Sequence, residues 1–148
     1  MNFLFAAERV LLTAWIGGLW SIGYIAAPTL FAVLDDRKLA GQLAGEMFHV
    51  INWLGITCGI LLILIILKRC GRIWQLWVLL VMLVLVMNNE YILQPMMAEL
   101  KAQGLVEGSE AKSRFGLLHG LSSLSYLLIS IMGLVLVGLG FDKSKSRN

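Results

Sequence analysis

Charge is scarce in this sequence. Asp, Glu, Lys and Arg make up 14% of its 148 residues, against 59% hydrophobic residues, where soluble domains carry about 25% charge. With a mean hydropathy of +0.83, the shortage excludes a water-soluble globular fold and leaves one lipid-embedded domain over residues 1–148. Cysteine is rarer still. Cys58 falls inside an apolar run and Cys70 in a short basic stretch, and two isolated cysteines form neither a redox motif nor a zinc spacing. Cys58 reads as a small buried hydrophobe. A phosphate-binding glycine loop, an HExxH sequence and a nucleophile-base pair are also missing, so nothing in the sequence points to an enzyme. The net charge of +3 is spread over the ends of the apolar runs and the tail. Without a basic stripe, nucleic acid is excluded as a partner.

What the sequence does have is four long apolar runs. A helix needs roughly 20 apolar residues to cross hydrocarbon about 30 Å thick, and runs at about residues 10–34, 46–67, 73–93 and 115–141 meet that length. The expected fold is therefore all-α: an integral membrane four-helix bundle, antiparallel, with both termini on the same side. The first run is about 25 residues long, longer than the core of a cleavable signal, and no small-residue cleavage site follows it. It is expected to stay as an anchor. Asp35-Asp36-Arg37-Lys38 stops the first helix, Lys68-Arg69-Cys70-Gly71-Arg72 suits a tight hairpin after the second, and Gln94-Pro95 ends the third. Residues 96–114 then form the one sizeable connector, and 142–148 a polar tail. Trp74 and Trp77 are expected as interfacial anchors. Seven basic residues fall on the side of the termini (Arg9, Lys68, Arg69, Arg72, Lys143, Lys145, Arg147) and five on the other (Arg37, Lys38, Lys101, Lys112, Arg114). The positive-inside bias thus places both termini in the cytoplasm of a multi-pass inner (plasma) membrane protein.

Polar residues within these runs gather toward the outer ends. Tyr24 and Pro28 close the first; Glu46, His49 and Asn52 open the second; Asn88, Asn89 and Glu90 close the third; and His119, Ser122, Ser123 and Tyr126 open the fourth. Glu46, His49 and either Asn52 or Trp53 share a helix face, as do His119, Ser122 or Ser123, Tyr126, Ser130 and Gly133. Such groups are expected to face inward, since exposing them to lipid is costly. Helix packing alone accounts for the serines and for Gly17, Gly18 and Ser21. The two histidines are the only ones in the chain, and they fall at similar depth on different helices. Two imidazoles there could ligate haem b axially, or hold copper or zinc with Glu46, Glu90 or Met96. Hydrogen bonding of His49 to Glu46 or to Glu90 explains the same pattern without a ligand.

The third run closes on Asn88-Asn89-Glu90-Tyr91-Ile92-Leu93-Gln94-Pro95-Met96-Met97-Ala98. The fourth opens on Phe115-Gly116-Leu117-Leu118-His119-Gly120-Leu121-Ser122-Ser123-Leu124. Together these stretches resemble the family of vertebrate transmembrane protein 205 and its bacterial relatives, and Phe48-His49 is similar to that family's second-helix histidine. The resemblance covers nearly the whole chain. It departs in the connector before the fourth helix, which is longer in the vertebrate protein. It implies four helices and no settled activity, with platinum-drug resistance and trafficking associated with the vertebrate member. More distantly, the plan resembles four-helix proteins related to copper resistance protein D and to haem-binding protoporphyrinogen oxidase, which implies metal or haem.

Three functions follow as expectations. The first is a binding protein whose outer-side pocket, lined by Glu46, His49, Asn89, Glu90, His119, Ser123 and Tyr126, holds a metal on His49 and His119, a haem, or a small polar ligand. The second is a structural or accessory subunit, partnered by a larger membrane complex or by further copies of itself. The third is transport of, or resistance to, an ion or drug.

Overall fold

The computed structural model describes residues 3–69 and 74–141. The Cys70 to Arg72 part of the basic hairpin and the polar tail lie outside the described residues. Within them are four long helices and no strand: α1 (Phe3–Val33), α2 (Arg37–Arg69), α3 (Trp74–Gln103) and α4 (Glu110–Leu139). All four are long and apolar enough to cross a membrane. At 1.5 Å per residue each rises about 45–50 Å, more than the roughly 30 Å of hydrocarbon, so their ends reach headgroup level or the helices tilt.

Helix α1 begins at Phe3, ahead of the expected start near residue 10, and three further boundaries differ from those expected of hydropathy, each for a local reason. Helix α2 starts at Arg37 and not near 46 because Asp36 caps it, its Oδ1 accepting from the amides of Lys38 (2.8 Å) and Leu39 (3.1 Å). Helix α4 starts at Glu110 and not at 115, since the Ser109 hydroxyl accepts from the Lys112 amide at 3.1 Å. Pro95 does not end α3. A π-helical turn over Asn89–Leu93 precedes it, closed by a bond from the Gln94 amide to the Asn89 carbonyl, and a further α-helical stretch runs over Gln94–Gln103. Pro28 is accommodated the same way in α1, after a π-helical turn over Ser21–Ala26. A proline ring presses on the carbonyl four residues back, and a five-residue bond widens the helix where that room is needed. The connector between α3 and α4 is consequently only residues 104–109, bounded by positive-φ Gly104 and Gly108.

Polar contacts join the helices near their ends. Arg69 of α2 pairs with Glu8 of α1, and Gln75 of α3 donates to the Gly140 carbonyl just after α4 at 3.3 Å. Opposite this Arg69 end, Lys101 of α3 donates to the Gly41 carbonyl of α2 at 3.4 Å. Between the ends, Trp15, Leu62, Ile66, Leu79, Met82, Ile129 and Leu136 are fully buried. Large aliphatic side chains such as Val84, Leu117 and Leu134 face outward, an arrangement suited to lipid and not to water. Apolar helices gain little by hiding from apolar lipid, so close packing must hold them. Helix α1 is keyed accordingly: a Cβ at Gly55 would lie 2.5 Å from the Trp15 indole nitrogen, and one at Gly133 would overlap Ile16. Gly17, expected as a packing residue, has open space beside it.

Candidate functional site

The polar groups nearer the Lys101 end fall into two clusters at the two π-helical turns. At the first, the Tyr126 hydroxyl of α4 donates to the Leu19 carbonyl, two residues ahead of the wide turn in α1. Its ring crosses Tyr24 (6.0 Å between centroids) and Phe48 of α2 (5.5 Å) edge to face, and Tyr24 donates to the buried Ser130 hydroxyl at 3.1 Å. A side chain inserted beside the helical ladder is a usual companion of such irregular turns. This cluster ties α1, α2 and α4 together.

The second cluster carries the ionisable groups. The π-helical turn of α3 buries Glu90, whose side chain is 5% exposed. One carboxylate oxygen pairs with His49 Nδ1, and the other accepts from Asn52 Nδ2 at 3.0 Å. His49 and Asn52 sit three residues apart on one face of α2, which lets both reach the same carboxylate. Of the two carboxylates considered for His49, Glu90 is the partner. With Nδ1 committed to Glu90, the imidazole presents Nε2 away from the carboxylate, and His49 is 53% exposed. Trp53 lies edge to face with His49 (6.4 Å) and with Tyr91 (6.1 Å). One residue before Glu90, Asn89 is buried and its Oδ1 has no hydrogen-bond partner among the described residues.

Depth follows from helical rise. His49 lies about 30 Å along α2 from Arg69, one hydrocarbon thickness, so with Arg69 at one headgroup layer His49 is at the other. Glu90 lies about 24 Å from Trp74 along α3, a little inside that boundary. Between this level and that of Glu8 the interior is filled by Trp15, Leu62, Leu79 and Met82.

Not every expected residue joins this cluster. Glu46, His119 and Ser123 lie on exposed helix surface where inward-facing positions were expected. His119 stacks on Phe115 (6.0 Å, 9° between planes), and the Ser123 hydroxyl turns back onto the His119 carbonyl at 2.8 Å. Among the described residues no three of His, Cys, Asp and Glu gather as a metal shell, so His49, Glu90 and His119 do not form one. Asn52 was legible on the His49 face. Glu8, buried and paired with Arg69, was missed. Its signal, a lone acid ahead of an apolar run, gives no hint of a partner 61 residues away.

The arrangement defines a class: a multi-pass, four-helix membrane protein with a buried carboxylate holding an exposed imidazole near one membrane face. Residues 10–105 match the model of the family described as a domain of unknown function, DUF4149, and the chain belongs to that family. The matched region contains His49, Asn52, Asn89 and Glu90 and stops short of His119, Ser123 and Tyr126. No curated protein and no solved structure matches the chain.

Proposed function

We propose that this is a ligand-binding protein of the inner membrane, an antiparallel bundle with both termini cytoplasmic and the Lys101 end outward, whose ligand is taken by His49 Nε2. The observation that carries the reading is the buried Glu90 fixing an imidazole that is half exposed. A carboxylate on the far nitrogen orients a ligating histidine and raises its basicity, and Asn52 holds that carboxylate from the other side. Ionisable groups at membrane depth are expensive to keep without a use. The basic-residue bias supports the orientation, and the resemblance to the transmembrane protein 205 family agrees with the four-helix plan.

The donor chemistry narrows the ligand. Both Glu90 oxygens are engaged, so the site offers one imidazole nitrogen. That suits one axial position of a haem iron, or one corner of a metal completed by its own small ligands or by a second copy. It does not suit a closed copper or zinc centre within a single chain. Purified in mild detergent and titrated with hemin, copper and zinc, the protein is expected to bind one of them through His49. His49→Ala should abolish that binding and Glu90→Leu should weaken it roughly 10–100-fold. A colourless, metal-free protein that takes up none of the three, with His49→Ala indistinguishable from wild type, would falsify the reading.

A second reading has its own observation. His119 and Ser123 are exposed on α4 at about the level of His49 and Glu90, where a neighbouring protein would cover them better than lipid. This favours an accessory subunit or a homo-oligomer. Cysteine crosslinking from position 119 to a reproducible partner would support it, and migration as a bare monomer on native gels would count against it. Among the described residues the interior between the levels of His49 and Glu8 is filled by large apolar side chains, so transport would need an oligomer.

A further inference from the structure

Two concavities lie together at the Arg69 end, remote from His49. One is an apolar groove along α2, lined by Leu61, Leu64, Ile65, Leu67 and Lys68 with Leu4 of α1 opposite. From Leu61 to Lys68 it runs about 10 Å along the helix, with aliphatic side chains down its length and a single ammonium at its mouth. The other, about 280 Å³, is lined by Phe5, Glu8, Arg9, Leu12 and Thr13 against the last residues of α4. Phe5 stands between them in sequence, and its ring carries two guanidiniums, Arg9 at 4.6 Å and Arg69 at 5.4 Å.

The charge here is lopsided. Glu8 is buried and engaged by Arg69, while Arg9 and Lys68 form no ion pair among the described residues. Both are exposed, as are Trp74 and Trp77 at the start of α3, which mark headgroup level at this end. A groove opening on lipid, floored by aliphatic side chains and closed at headgroup depth by cations, has the layout of a phospholipid laid alongside it.

We propose that the Arg69 end binds one anionic phospholipid, its upper acyl chain along Leu61, Leu64 and Ile65 and its phosphate on Lys68, within the positive field of Arg9. The position is set by Lys68 and the groove together. A zwitterionic lipid could fill the groove but would gain less from the two cations without an ion pair, Arg9 and Lys68, and a free phosphate could meet the cations but not the groove. The site stands independently of His49 and of the bundle's orientation.

The test uses full-length protein in an uncharged detergent. Its thermal unfolding is followed by tryptophan fluorescence during titration with short-chain phosphatidylglycerol, phosphatidylcholine of the same chains, or glycerol 3-phosphate. Phosphatidylglycerol is expected to raise the midpoint at the lowest concentration, and glycerol 3-phosphate to leave it unmoved. Lys68→Gln should raise the half-saturating phosphatidylglycerol concentration about fivefold, the effect of one surface cation. Leu64→Trp, which fills the groove without touching charge, should also weaken the response. Equal potency of phosphatidylcholine, a full shift from glycerol 3-phosphate, or an unchanged titration in either variant would overturn the proposal. So would a stable dimer crosslinked through position 64, which would place a second copy in the groove.

Discussion

Removing the Asn52 amide should show how strongly Glu90 is held. The bond from Asn52 Nδ2 to Glu90 Oε2 is 3.0 Å long, and its acceptor is buried. Interhelical hydrogen bonds in membranes average only about 0.6 kcal/mol, reaching about 1.7, because the separated helices find other partners. Bonds to a charged group are worth about 1.5–3 kcal/mol. A carboxylate already paired with His49 belongs at the overlap of these ranges, near 1.5 kcal/mol, or roughly tenfold in the unfolding equilibrium. The assay is a double-mutant cycle of Asn52→Ala and Glu90→Ala, with unfolding driven by sodium dodecyl sulfate in mixed micelles. The double variant should be more stable than additivity predicts by that coupling. The same cycle between His49 and Glu90 should give a coupling of similar or larger size. Additive behaviour within about 0.3–0.5 kcal/mol in both cycles would refute the claim that Glu90 is held by these two residues.

Other expectations follow from single contacts. Gly55→Val puts a branched side chain against the Trp15 indole and should destabilise the bundle by about 1–3 kcal/mol in the same unfolding assay, whereas Gly17→Ala, with open space beside it, should be nearly neutral. Ser109→Ala removes the cap of α4 and should cost about 1 kcal/mol, read as faster amide exchange at Lys112. The connector also gives a pH dependence. The Lys112 ammonium bonds to Glu107 at 2.7 Å and holds that carboxyl below its ordinary range. A depressed folded-state value means that any stabilisation is present above the unfolded carboxylate range and is lost as pH falls through the folded one. Lys112→Ala should return the Glu107 titration, followed by side-chain carbon NMR, to the ordinary carboxylate range.

How much was legible depended on what each feature is made of. The four crossings were readable because hydrocarbon selects for apolar length, a property any window along the chain registers. The true starts of α2 and α4 were not, because Asp36 and Ser109 act through single bonds to backbone amides that hydropathy does not weigh. Pro95 was read as a terminator on sound grounds, since a proline does break an α-helical ladder; the π-helical turn ahead of it supplies room that no residue type announces. At the site, helical spacing put His49 and Asn52 on one face, and burial made both Glu46 and Glu90 plausible partners. Choosing between them needed the rotation of α3 against α2, which helical spacing within one run does not give. The exposed positions of His119 and Ser123 likewise depend on how α4 is rotated, and a polar stripe on a membrane helix does not say whether its neighbour is within the same chain.

The central claim is that Glu90 fixes His49 with Nε2 presented outward, and the protonation of that ring reports it directly. Nitrogen-15 NMR of histidine-labelled protein in detergent micelles at neutral pH, assigned by comparison with His49→Gln, separates the two ring nitrogens. A proton on Nδ1, shared with Glu90, is expected, a preference lost in Glu90→Leu. A His49 protonated on Nε2 alone, or one whose signals do not respond to Glu90→Leu, would contradict it.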